Sequence, residues 1–161
     1  TVSGAVGLTK NLTDVEQGQL NIDKYNVNCI RRFAASGIVS WGARTITPPG
    51  SEYKYIPVRR MAIMLRVSIY SGIQWAVFEP NDEELWGQLR LNINSFMMTL
   101  FRQGAFQGAS PTKAFFVKCD SETTSKAEID SGIVNVLVGF APLKPAEFVV
   151  VKISQIAGQS S

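Results

Sequence analysis

The strongest pattern of apolar and polar positions runs from Phe78 to Phe116, FEPNDEELWGQLRLNINSFMMTLFRQGAFQGASPTKAFF. Apolar residues recur at Leu85, Trp86, Leu89, Ile93, Phe96, Met97, Leu100 and Phe101, the i, i+3, i+4 spacing of one helix face. Gly87, Gln88, Arg90, Asn92, Asn94, Ser95 and Arg102 fall mostly outside that stripe. Asn81, just after Pro80, stands where an N-cap belongs, with Glu84 at capping-box distance. Asp82, Glu83 and Glu84 put negative charge at the positive end of the helix dipole. Gly104 is the natural stop, because glycine takes the left-handed conformation without steric cost. About 22 residues of helix would span roughly 33 Å at 1.5 Å each. Such a stripe is core, and it carries no chemistry of its own.

Upstream, Pro57 fits the first turn of a second helix that reaches Gly72. Val58, Met61, Ala62, Leu65, Ile69 and Gly72 form its stripe, Met64 and Val67 widen it, and Arg59, Arg60 and Arg66 lie on the polar side. The two helices are expected to pack on each other or on one face of a sheet. Residues Ile38–Ile46, IVSWGARTI, read as a strand interrupted at Gly42, with Trp41 as a core anchor and Arg44 as a paired structural arginine. Thr1–Ile22 reads as an extended leading segment, and Tyr25–Phe33 is short and mixed. TPPGSEYKY is a loop by composition. Past Gly104, Phe115–Asp120 is a strand with Phe115, Val117 and Cys119 on one face. Ser125 and Glu128 have capping-box spacing, and Gly132 ends that short helix. Val134, Val136, Val138 and Phe140 alternate in the next strand. Strands and helices therefore mix along the chain, and the class is α+β.

Composition adds limits. The 161 residues are 45% hydrophobic, which suits one domain with at most a small appendage. The charged fraction, 18%, is below the roughly 25% usual for soluble domains, so uncharged surface is expected to be buried against partners. A net charge of +3, with only the pairs Arg31–Arg32 and Arg59–Arg60 adjacent, does not demand nucleic acid. No apolar run is long enough to suggest a membrane span. No signal peptide is recognisable, but the chain opens at Thr1 rather than Met, which suggests a piece of something longer.

Candidate chemistry is sparse. The chain has no histidine, which removes Ser-His-Asp and Cys-His catalysis and most zinc sites. Cys29 and Cys119 lie far apart and read as buried, reduced thiols. Asp82, Glu83 and Glu84 are explained by the helix dipole. Asp120 and Glu122 follow a strand, where metal ligands often sit, but only Glu128 and Asp130 are close in sequence to assist them. Gly104 and Gly108 make no nucleotide-binding loop. No catalytic, metal or cofactor-binding residue is therefore assigned.

The last element is unusual. Phe148–Ile156, FVVVKISQI, is strongly β-prone and follows APLKPAE, in which Pro142 and Pro145 break the chain. Two pairings are open: a local one with Ile133–Phe140, and addition to a neighbour's sheet. Proximity along the chain favours the local one.

Seven stretches resemble the contractile tail sheath proteins, specifically the C-terminal sheath domain of phage tails, R-type pyocins and extracellular contractile injection systems. They are LNIDKYNVNCIRRF, VSWGART, YIPVRRM, WAVFEPND with the following LW, RQGAFQGASPTKAFFVKCD and DSGIVNVLVGFAPLKPAEFVVVKI, in family order over most of residues 20–156. The resemblance implies a non-enzymatic structural subunit, without cofactor, of a sheath that stacks in rings around an inner tube and contracts to drive it through a target envelope. It implies a small mixed β-sheet packed by two long helices, with extended arms that complete neighbours' sheets. On that expectation residues 1–22 are an arm or a lead from a preceding domain, 23–147 the core domain and 148–161 the C-terminal β-arm and tail. Phe115, Val117, Val134, Val136 and Val138 would be resident strands. Phe148, Val149, Val150, Val151, Lys152 and Ile153 would be the exported strand, and Pro142 and Pro145 its hinge, which reverses the preference for local pairing. Arg59, Arg60, Arg66 and Lys144 would be candidates to touch the tube. Implied partners are other sheath subunits, the tube protein, and baseplate and terminator proteins, with no nucleic acid or membrane. The implied setting is a phage tail or tail-like particle assembled in the bacterial cytoplasm. The competing reading is a basic nucleic-acid-binding module of α+β fold.

Overall fold

The computed structural model describes residues 1–22, 26–48 and 50–146. In chain order the elements are helix α1 (Asp14–Gln19), strands β1 (Cys29–Phe33) and β2 (Gly37–Trp41), and helices α2 (Ile56–Gly72), α3 (Glu83–Arg102) and α4 (Pro111–Ala114). Strand β3 (Phe115–Lys118), helix α5 (Lys126–Asp130) and strand β4 (Leu137–Phe140) follow. The class is α+β. The strands do not join one mixed sheet: among the described residues there are two antiparallel pairs, β1–β2 and β3–β4.

Helix α3 organises both halves of the core. Leu85, Trp86 and Leu89 at its start pack with Cys119, against Ile129, Val134 and Val136. Ile93 and Met97 at its end pack with Leu65 of α2 and with Phe106, Ala114 and Phe115. The helix therefore spans the molecule's core as its stripe requires, and side chains of α2 reach its C-terminal half. Three aromatic rings seal the junction: Phe106 stands 6.1 Å from Phe115 and 5.8 Å from Phe140, both tilted.

The ends of α3 correct the sequence reading by one residue and explain why. Asp82, not Asn81, is the N-cap, its carboxylate accepting from the Leu85 N–H at 3.1 Å. Asn81 is spent elsewhere. Its Oδ1 accepts from Trp86 Nε1 at 2.9 Å and its Nδ2 donates to the Ile133 carbonyl at 3.0 Å, tying the helix to the chain after α5. At the other end Gln103 is the C-cap and Gly104 follows at φ +76°. The Gly104 and Ala105 N–H groups donate back to Phe101 and Leu100 at 2.9 and 3.0 Å, which is a Schellman closure. Helix α5 ends the same way at Gly132, with N–H bonds from Gly132 to Ile129 and from Ile133 to Glu128. It begins with the expected Ser125–Glu128 capping box.

The leading segment is not extended throughout. Thr13 and Glu16 form a capping box that starts α1, and the segment lies on its own chain's hairpin. Val2 N–H donates to the Ile38 carbonyl at 2.9 Å, and Arg32 N–H to Asn11 Oδ1 at 3.3 Å. The mixed stretch before Phe33 proves to be strand β1, paired with β2 from Cys29↔Trp41 to Phe33↔Gly37. Trp41 is no core anchor. It sits at the hairpin's open end, 49% exposed, with its ring 4.6 Å from Phe33. Beyond it Gly42 (φ +143°) passes against Asn28, so closely that a side chain there would collide with Asn28 Oδ1. Asn28 bonds both the N–H and the carbonyl of Arg44, at 3.0 and 2.8 Å, in place of a backbone partner.

Candidate self-assembly interface

The β3–β4 ladder pairs Phe115↔Phe140, Phe116↔Gly139, Val117↔Val138 and Lys118↔Leu137. Of the expected resident positions, Phe115, Val117 and Val138 lie in it. Val134 and Val136 do not, although both pack on the core. The ladder stops early because the flanking backbone is engaged elsewhere. The Cys119 carbonyl accepts from Arg90 Nη1, and Asp120 folds into a turn whose Oδ1 accepts from the Glu122 and Thr123 N–H groups. On the other strand, Asn135 N–H donates to buried Thr124 Oγ1 at 3.0 Å and Asn135 Nδ2 to Glu128 Oε1 at 2.9 Å. Phe116 lays its ring over Gly139 across the ladder, filling the space a side chain there would need.

Two strands of four residues make a marginal sheet by themselves. Among the described residues each strand has a partner on one side only, so each leaves an outer edge of N–H and C=O groups. After β4 the chain stays attached for two residues. Ala141 N–H donates to Ala114 O at 2.8 Å, its carbonyl accepts from Gln107 N–H at 2.9 Å, and Pro142 bridges Phe106. Leu143 and Lys144 are exposed, and Pro145 is half-buried. The expected exported positions Phe148, Val149, Val150, Val151, Lys152 and Ile153 lie outside the described residues.

Helix α2 carries the second surface. Its inner face buries Val58 and Leu65. Val67, expected to widen that face, points the other way. With Ile56, Ile63 and Tyr70 it forms a stripe at i, i+7, i+11 and i+14, and all four are exposed, Tyr70 by 67%. The helix is therefore apolar on two opposite faces, of which the described residues cover only the inner one. Arg59, Arg60 and Arg66 flank the outer stripe and are exposed, Arg59 lying 5.0 Å over the Tyr53 ring. Lys144 sits apart from them, on the connector after β4. The outer stripe is present in the residue order as Ile56, Ile63, Val67 and Tyr70, and only burial distinguishes it from the inner one.

Most of the acidic residues with catalytic or metal-ligating spacing have structural partners. Asp82 caps α3, Glu83 pairs with Arg90 at 2.6 Å, and that contact raises the Arg90 pKa. Glu128 closes the α5 capping box, and hydrogen bonds from Ser125 and Asn135 hold its carboxyl below the ordinary range. No cluster of three metal-ligating side chains occurs among the described residues. Both cysteines are buried and unpaired, and burial pushes the Cys119 thiol up.

The family model for the phage tail sheath C-terminal domain matches residues 49–156. The tail sheath protein of Vibrio phage KVP40 is 27% identical over 121 residues, covering 75% of this chain. A chain of the anti-feeding prophage (AFP) baseplate superposes with a TM-score of 0.83 at 33% identity, covering 92% of this chain. The contracted sheath complex of PVC, an extracellular contractile injection system, gives 0.82 at 33% identity, covering 91%. The contracted AFP helical sheath gives 0.79 at 34% identity, covering 91%. The chain spans 17% of the phage protein and 41% of each of these structural relatives.

Proposed function

The chain belongs to the phage tail sheath C-terminal domain family, and on that premise we propose that it is the self-associating domain of a contractile sheath subunit, in a phage tail or tail-like particle. The observation that carries this reading is the β3–β4 sheet, two-stranded and open at both edges among the described residues, in a chain whose matched structures are sheath and baseplate assemblies. A donated strand would complete the sheet with backbone hydrogen bonds, which hold regardless of side-chain identity.

The donor is the segment Phe148–Ile153, entering a neighbouring copy's sheet. Pro142 and Pro145 bracket its hinge, and the bend falls after Pro142, because Ala141 and Pro142 are fastened to Gln107, Ala114 and Phe106. Proline suits that place, since it stiffens the connector and cannot join the ladder. Strand exchange keeps subunits linked while they turn, and the contracted lattice buries more surface than the extended one, which drives the motion. Arg59, Arg60 and Arg66 on α2, with Lys144, make the charged contact to an inner tube. Residues 23–147 form the core domain, 1–22 an arm or lead, and 148–161 the outgoing arm. The role is structural and non-enzymatic, and assembly takes place in the bacterial cytoplasm. The nucleic-acid reading gains no support from the family or its structures.

The test is deletion of Phe148–Ser161 in the full-length protein. Negative-stain microscopy is expected to find no sheath tubes, while the protein stays soluble and monodisperse. Striated tubes formed by the truncated protein would refute strand donation.

A further inference from the structure

The turn between α2 and α3 holds a bulky residue in a backbone state that suits glycine. Glu79 N–H donates to the Ala76 carbonyl at 3.3 Å, closing a β-turn over Val77 and Phe78. Val77 stands at φ −69°, ψ 128° and Phe78 at φ +75°, the pattern of a type II turn, whose third position calls for glycine or asparagine. Phe78 is the single non-glycine residue with positive φ among the described residues. A large side chain is strained there. Nothing in its own chain offsets that strain, because the ring is fully exposed. Trp75 and Val77 beside it are exposed as well, by 41% and 54%. Acid flanks this apolar tip: Glu79 adjoins it, and Glu84 follows in the first turn of α3. Both are exposed, and neither has an ion-pair or hydrogen-bond partner among the described residues. Strain with no internal contact to offset it points to a contact outside the chain.

A surface of complementary charge and shape is present on the same molecule. Helix α2, IPVRRMAIMLRVSIYSG, has three arginines and no acid. On its outer face Ile63, Arg66, Val67 and Tyr70 are all exposed. They stand at i, i+3, i+4 and i+7, the four corners of the hole that a helix offers to a knob. We propose that Phe78 enters this hole on a second copy of the chain. Ile63 and Val67 give the ring apolar walls, Tyr70 gives an aromatic neighbour, and Arg66 brings a guanidinium to the ring face or to Glu79. The chain does not fill its own hole, since Phe78 and Tyr70 are both exposed. A knob on one surface and a hole on another make a heterologous contact, which closes into a ring or runs on as a helix of subunits. Of the cations assigned to the tube this contact takes Arg66, leaving Arg59, Arg60 and Lys144. It needs no donated strand.

The contact is tested in tubes of the full-length protein. With the photo-crosslinker p-benzoylphenylalanine in place of Phe78, irradiation is expected to give a two-chain product whose joined peptide carries residues 63–70. A cross-link elsewhere, or none in tubes that form, would overturn the contact. Phe78→Gly separates the ring's strain from its contact. Its Tm should hold or rise, because glycine suits the turn, while the protein concentration needed for tubes rises at least about tenfold. A Tm lower by more than about 2 °C would mean that the ring packs on its own chain. An unchanged assembly concentration would mean that it packs on nothing. Either result overturns the proposal. As a further measurement, Glu79→Arg and Arg66→Glu should each weaken assembly about tenfold, and together restore most of it. A double variant no better than the worse single one would overturn the pairing. If Phe78→Gly leaves assembly unchanged while deletion of Phe148–Ser161 abolishes it, strand donation stands and the knob falls.

Discussion

Asn81 shows how one side chain can hold a core together without joining it. It satisfies the indole N–H of buried Trp86 and reaches across to the Ile133 carbonyl. Replacing it by alanine leaves the Trp86 donor unpaired at the core's edge. Asn81→Ala is expected to cost about 1–3 kcal/mol in urea unfolding. Asn81→Asp, which can still accept from Trp86 but cannot donate to Ile133, should fall between. Gly139 depends on its cross-strand neighbour in the opposite sense. A methyl group there meets the Phe116 ring, so Gly139→Ala should destabilise the protein by about 1–3 kcal/mol. Phe116→Ala in that background should recover most of the loss, because the half-exposed ring is the obstacle. If the pair of substitutions is no better than the glycine change alone, the obstacle is backbone strain instead.

Among the elements, α1 and α5 both start on a capping-box carboxyl held below its ordinary range, and the shift is large at α1. Hydrogen bonds from Lys10, chiefly, and from Thr13 hold the Glu16 carboxyl at about 2, against its ordinary 4.5. A carboxyl whose folded pKa is lowered stabilises the fold above its unfolded value, and that contribution fades as pH falls toward the folded one. Helix α1 should therefore fray between about pH 4.5 and 2, read from the Cα chemical shifts of Asp14–Gln19 and from titration of the Glu16 carboxyl. Glu16→Gln should remove that dependence. The same capping-box spacing made α5 legible in the sequence, and Thr13–Glu16 was equally available. Spacing alone does not single it out, because α1 has no buried residue and hence no apolar stripe. Strand β1 is hidden in the residue order for a related reason: its inward position 31 is an arginine, which breaks the apolar alternation that marks a strand.

At the scale of the molecule, the surfaces of interest are those left over when the core is closed. The outer stripe of α2 is exposed and belongs to neither core cluster, so Ile63→Glu with Val67→Glu should leave Tm within about 2 °C. In the full-length protein the same pair should abolish or sharply reduce sheath tubes in electron micrographs. Loss of folding would show that the stripe is packed within the chain, and intact tubes would show that it faces solvent in the assembly.

Local chemistry made the long helix, its glycine stop, the short capped helix and the inward face of β3 readable from residue order, since each depends on neighbours within a few positions. The stretches resembling sheath proteins likewise needed only order and identity. Three-dimensional contacts decided the rest. Asn81 yielded the cap to Asp82 because Trp86 and Ile133 claimed it. Val134 and Val136 left the ladder because Thr124 and Glu128 held Asn135. Trp41 stayed at the surface because the hairpin pairs with no further strand among the described residues. In every such case competition between distant partners for one polar group or one open edge set the outcome, and that competition exists only once the chain has folded.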